Sequence, residues 1–149
     1  VRSVAAAHEH LQGVTEYAAA SQRCTLVPGI GETTFPLESI TDPHDLEDVD
    51  FAVMPGALAV AENAAVWVNA SSSVPRVLYF LIQHLALVVP AANVVSNLHE
   101  AYARLDVAAT PFGCWISGPS KTADIEQSLV KGAHGSRTLV VFLVDELPG

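Results

Sequence analysis

Basic residues are scarce in this chain. Seven Lys or Arg stand against sixteen Asp or Glu, a formal charge of −9. No basic stripe is available to neutralise a phosphate backbone, which excludes nucleic acid as a partner. Cysteine is scarce too: Cys24 and Cys114 lie far apart in the chain, and alone they build neither a zinc site nor an iron–sulfur cluster. Both read as ordinary buried thiols. A membrane helix requires roughly twenty clean apolar residues, and the longest apolar stretch, Val77 to Val95, is broken by Gln83, His84 and Pro90. It reads as a buried strand with flanks, with no membrane span. The N-terminus mixes Arg2, His8, Glu9 and His10 with alanines, unlike a secretory signal, so a cytoplasmic location is expected. Charged residues of both signs reach only 15%, against about a quarter in ordinary soluble domains. A two-sided sheet core, a partner surface or a homo-oligomer would cover that excess apolar surface.

A chain of 149 residues matches one domain able to bury roughly two thirds of its unfolded surface. We read residues 1–149 as that domain, and the start at Val1 rather than Met leaves room for a missing N-terminal segment. Val4, His8, Leu11, Val14 and Ala18 follow a helical spacing interrupted at Gly13, predicting two helical pieces or one bent helix. Strands are expected at Thr25 to Val27 and Phe51 to Met54, and at Ala57 to Ala61 paired with Ala64 to Val68 through a polar turn at Glu62 and Asn63. His84 to Val89 reads as a strand covered on both faces, followed by a helix capped by Asn93 or Ser96. The last third suggests a strand Gly113 to Ser117, a helix Thr122 to Val130 and a strand Arg137 to Val144. That is a right-handed βαβ unit with parallel strands, and the whole is an α/β chain with an open, mostly parallel sheet flanked by helices.

In such sheets ligands bind beyond the carboxyl ends of strands. The turn Gly118-Pro119-Ser120 offers glycine freedom, hydroxyls on Ser120 and Thr122, and the free amides of a helix start, with Lys121 as a local cation. These describe an anion cradle. The competing reading is a well-capped helix: Thr122 is a good N-cap, and Asp124 and Glu126 suit the positive end of a helix dipole while opposing a phosphate. Glu62 is an isolated carboxylate among apolar residues. Buried and unpaired, it would favour its neutral form and serve as acid, base or nucleophile; at an exposed hairpin tip it would not. Asn63 beside it suits a positive φ. His84 reads as a satisfied core histidine and His134, in Gly132-Ala133-His134-Gly135, as a helix C-terminal residue. Walker, Gly-x-Gly-x-x-Gly, Gly-x-Ser-x-Gly and His-Glu-x-x-His motifs are missing.

The stretch Ile116-Ser117-Gly118-Pro119-Ser120-Lys121-Thr122-Ala123-Asp124-Ile125-Glu126, continuing through Gly132-Ala133-His134-Gly135 to an apolar strand, resembles the C-terminal signature of the LutC/YkgG branch of the LUD domain family. Asp50-Phe51-Ala52 and Val60-Ala61-Glu62 resemble the strand and the Ala-Glu-Thr-Gly turn of that family, although Asn63-Ala64 replaces Thr-Gly here. The resemblance implies a fold like the NagB/RpiA/CoA-transferase group. It also implies a part in bacterial L-lactate utilisation, the oxidation of L-lactate to pyruvate beside iron–sulfur partner proteins. On that view this chain carries no cofactor of its own, the clusters sit on the partners, and a small organic anion binds at Gly118, Ser120, Lys121, Thr122, Asp124 and Glu126 with Asn63, Glu62 being the acid–base residue. Two alternatives stand beside it: a non-catalytic assembly or docking protein for an iron–sulfur oxidoreductase, and an acyl or CoA-transfer enzyme using Glu62 as nucleophile.

Overall fold

Two short helices, a parallel sheet, a mixed sheet and a third helix stack in that order in the computed structural model. It describes residues 1–149 apart from 38–39, 41, 71–75, 124–128, 132–134 and 148–149. The first helix, α1, is Val4–Gln12, capped by the Ser3 hydroxyl, which accepts from Ala6 N. Gly13 ends it, and α2 follows at Thr15–Ala19, so the interruption read at Gly13 separates two helices.

The parallel sheet consists of β1 (Arg23–Thr25), β2 (Phe51–Pro55), β5 (His84–Pro90) and β10 (Thr138–Val144), in that order. The central strands, β2 and β5, are almost wholly buried, as expected of uncharged runs covered on both faces. Alternation sorts their side chains. Phe51, Val53, Ala86 and Val88 join Ala7, Leu11 and Tyr17 beneath the first two helices. Ala52, Met54, Leu85, Leu87 and Val89 face the other way, onto Ala59, Val66 and Val68 of the mixed sheet.

That mixed sheet orders β6 (Val94–Val95), β3 (Leu58–Val60), β4 (Ala65–Asn69) and β7 (Gly113–Ile116). Its outer face carries Leu58, Val60 and Trp67, which pack on Ala101 of α4 (Leu98–Arg104). A short helix, α3 (Leu78–Leu81), lies between β4 and β5. The helix cap expected at Asn93 or Ser96 is instead Asn97, whose side chain accepts from Glu100 N, while Val94 and Val95 form β6.

The βαβ unit expected in the last third is not formed. β7 pairs antiparallel with β4, and β10 pairs parallel with β5, so the two strands belong to different sheets. Between them, β8 (Lys121–Ala123) and β9 (Leu129–Lys131) form an antiparallel pair with Thr122 opposite Val130. Thr122 therefore sits in a strand and is no helix N-cap. Local propensity at these ends is weak, and a closure between Ser120 N and Ser136 O at 2.8 Å brings the flanks together, which favours pairing over a helix.

Candidate functional site

The exit from β7 builds the site. Gly118 adopts φ 75°, and a Cβ placed there would meet nothing within 4 Å. Glycine is thus required by backbone conformation alone, and the bend faces open space. In front of it lies a hollow of ≈ 450 Å³. Phe80 and Ile116, which pack in the cluster between the two sheets, and Trp115, whose side chain lies on the other face of the mixed sheet, are among its lining, with Ser120, Lys121 and Ser136 as polar members.

Three aromatic residues of this lining have fixed positions. Tyr79 is buried, and its hydroxyl donates to Pro55 O at 3.1 Å. Burial pushes that phenol up to about 12, so it serves as neutral wall and not as an acid near neutral pH. Trp115 Nε1 donates to the Tyr102 hydroxyl at 3.1 Å, and its ring lies 5.1 Å from that of Trp67. Phe80 meets Phe112 edge to face.

At the polar end, Ser120 N donates to Ser136 O, so this amide is already satisfied and does not await an anion. With no helix at Thr122, the dipole contribution expected there is also missing. Attraction for an anion falls to Lys121, which is exposed and makes no ion pair among the described residues. Ser136 is only 4% exposed, and its hydroxyl makes no hydrogen bond among the described residues. Among the described residues lining the hollow, none carries a carboxylate.

The second region read from the sequence lies beside the first. Pairing of Val66 with Ile116 sets the β3–β4 hairpin against the end of β7, and Ser117 Oγ donates to Asn63 O at 2.8 Å. Asn63 is thereby tied to the Gly118 bend. The positive φ expected at Asn63 belongs to its neighbour: Ala64 has φ 54°, and Asn63 Oδ1 accepts from Ala65 N at 3.1 Å. Ala64 stands where the resembled turn carries glycine, which accounts for the strain.

Glu62 is not buried. It is exposed, its N–H donates to Ser96 O, and its Oε2 accepts from Leu98 N at 3.2 Å. The carboxylate secures the hairpin tip to the start of α4 and does not line the hollow, so the premise of a buried, unpaired acid fails. Asp124, Glu126 and His134 lie outside the described residues. His84 is half-buried and paired, its Nδ1 2.9 Å from Thr138 Oγ1.

Sequence reasoning missed Ser136, Tyr79, Phe80 and Trp115. No motif joins them, because they come from three separate segments. The only available signal was aromatic residues flanking a serine- and glycine-rich turn.

A parallel sheet backed by a mixed sheet, with helices on the outer faces, defines an α/β domain. The chain belongs to the LUD domain family, which it matches over residues 33–144. It is 30% identical over 132 residues to Lactate utilization protein C of Shouchella clausii, covering 79% of this chain and 57% of that protein. It is 27% identical over 106 residues to Lactate utilization protein C of Geobacillus thermodenitrificans, covering 67% of this chain and 44% of that protein. The chain thus spans about half the length of these relatives. A crystal structure of a DUF162 family protein from Deinococcus radiodurans shares the fold, with a TM-score of 0.61 at 20% identity, covering 93% of this chain and 84% of that one.

Proposed function

We propose that this chain serves lactate utilisation by holding a small organic anion in the hollow before Gly118. The observation that carries this reading is the hollow itself. It opens on the turn that resembles the family signature, with Lys121 and Ser136 at its polar end, in a chain whose relatives are named for lactate utilisation. Lys121 supplies charge, Ser136 supplies a hydroxyl, and the Asn63–Ser117 bond holds the bend in register. Glu62 acts as a positioning residue through Leu98 N.

Oxidation of lactate to pyruvate releases two electrons and two protons. Cys24 and Cys114 fall short of the four thiolates that a cluster takes. On this reading the electrons pass to iron–sulfur proteins acting beside this chain, the partners that the family resemblance implies. The test is thermal denaturation with millimolar L-lactate or pyruvate, which should raise the melting temperature. Ser136→Ala and Lys121→Ala should shrink that rise. No rise with either anion would end the reading.

One observation favours the docking alternative. β10 is uncharged, has β5 as its one ladder partner among the described residues, with Val1 N donating to Leu143 O near its end, and exposes Val141 and Leu143, the kind of edge that accepts another chain. Val141→Lys would abolish association with an iron–sulfur partner while leaving the anion shift intact; association unchanged by that substitution would remove this alternative.

A further inference from the structure

We infer that the chain has a second anion site, at the start of β7 away from Gly118, and that its ligand is a carboxylate with an apolar body. A hollow of ≈ 620 Å³ lies there, with Ala70, Arg76, Thr110 and Phe112 in its lining. It shares no described lining residue with the hollow before Gly118, so the inference stands apart from the reading of that site.

The parts that matter meet on one face of the mixed sheet. Pairing of β4 with β7 ends at Asn69 and Gly113, and Ala70 N donates to Phe112 O at 3.3 Å just beyond. Val66 and Val68 point toward the parallel sheet, and buried Ala70 continues that alternation. The Phe112 ring lies 6.2 Å from that of Phe80, edge to face, and Phe80 packs on the same cluster. Arg76 comes from the turn before α3, where its carbonyl accepts from Tyr79 N. Its guanidinium carbon lies 5.7 Å over the Phe112 ring. An aromatic floor and a cation are thus set side by side before any ligand arrives.

Charge then selects the ligand. Arg76 is exposed and makes neither an ion pair nor a side-chain hydrogen bond among the described residues, although acids outnumber bases sixteen to seven in the chain. No carboxylate stands among the described residues that line the hollow, and the Thr110 hydroxyl already donates to Asp106 O at 2.7 Å. Arg76 is therefore the one charged donor of the described lining, and its planar fork matches the two oxygens of a carboxylate. A single cation balances a single negative charge, which favours a carboxylate over a doubly charged phosphate. Ala70, Ala109, Pro111 and Phe112 add no polar side chain, so the body of the ligand is apolar.

The experiment follows the Arg76 Nε–Hε resonance and the Ala109, Thr110 and Phe112 amides of the folded chain by NMR while isovalerate, acetate or inorganic phosphate is added. Isovalerate should move them together and saturably in the millimolar range. Acetate keeps the charge and lacks the apolar body, and it should bind about fourfold more weakly, the loss of one buried CH₂ group. Arg76→Gln should abolish the amide shifts, and Lys121→Ala should leave them unchanged. Equal affinity for acetate and isovalerate, tighter binding of phosphate, or shifts that persist in Arg76→Gln would each overturn the inference, as would no saturable shift with any probe. Loss of the shifts in Lys121→Ala would move the ligand to the Gly118 hollow and overturn it as well.

Discussion

Gly113 and Gly118 flank one short strand, and alanine at each should cost stability for opposite reasons. A Cβ at Gly113 would lie 2.0 Å from Trp67 Cζ2 and 2.5 Å from Cη2. Carbons rest at about 3.5–4.0 Å, so Trp67 or β7 must yield by about 1.5 Å. Neither has room: Trp67 is 5% exposed, sits opposite Leu58 on β3, and meets the Trp115 ring at 5.1 Å. Overpacking of this kind costs about 1–3 kcal/mol, here near the upper end. Alanine's smaller chain entropy returns about 0.5–1 kcal/mol, leaving a net loss of about 2 kcal/mol. At Gly118 nothing lies within 4 Å, so alanine meets only the left-handed backbone, about 1–2 kcal/mol, less the same entropy return, for a net loss of about 1 kcal/mol. Urea denaturation should therefore place Gly113→Ala about twice as far below the parent as Gly118→Ala. The near-ultraviolet tryptophan signal should change for Gly113→Ala alone. Equal losses, or an unaltered signal in Gly113→Ala, would refute the packing argument.

Ala64→Gly should stabilise the chain, because relief of the left-handed alanine at φ 54°, about 1–2 kcal/mol, exceeds the added entropy of about 0.5–1 kcal/mol; a lower urea midpoint would contradict this. Glu62→Ala should lose about 0.5–1 kcal/mol by leaving Leu98 N unbonded, and Glu62→Gln, which keeps an acceptor, should lose less in the same assay. The Asp42 carboxylate holds the exposed His44 ring above its usual 6.5, and the His44 amide, then its ring, hold Asp42 below the usual carboxylate range. His44's share of stability is complete below its ordinary pKa and fades as pH rises through the raised value; Asp42's is present above its ordinary pKa and fades as pH falls through the lowered one. NMR titration of His44 should show the raised value and its return in Asp42→Asn; an unchanged midpoint would exclude the pairing. Burial pushes the Cys24 thiol up to about 12 and raises that of half-buried Cys114 less. At pH 8 a thiol reagent should modify Cys114 slowly and Cys24 only after unfolding.

Much of the fold was legible because it rests on burial. The runs Phe51 to Met54 and His84 to Val89 are uncharged, and both became central parallel strands. Gly13 marked the break between helices, and Glu62-Asn63 marked the hairpin that the β3–β4 pairing confirms. The helix start at Thr122 was misread because hydroxyls and acids after a glycine satisfy two descriptions, a helix start and a turn into a strand. What decided between them was the contact of Ser120 with Ser136, which local pattern cannot report. The site was legible in the same measure. Gly118 and Lys121, singled out together because they belong to one segment, line the same hollow, whereas Tyr79, Phe80 and Ser136 join it only through the tertiary fold. Glu62 was misjudged for a related reason: its apolar neighbours on the chain are buried, but the hairpin tip carries it into solvent.

Losing the helix at Thr122 changes how an anion can be held. A helix start would have supplied several aligned amides and a dipole fixed in place. A strand supplies neither, and Ser120 N is already bonded to Ser136 O. Charge attraction from exposed Lys121 acts against a formal −9 for the whole chain and is screened within about 8 Å at physiological salt. Electrostatics of that reach can orient a ligand at the polar end but does not by itself select one. On the proposed reading, selection would fall to parts of the lining that are rigid before binding, such as the Phe80 ring set edge to face on Phe112, since a preorganised surface loses little freedom when a ligand arrives. On that reading the residues that would discriminate between ligands lie outside the turn, and the turn's own contribution is to leave the space before Gly118 open, where a Cβ would meet nothing within 4 Å.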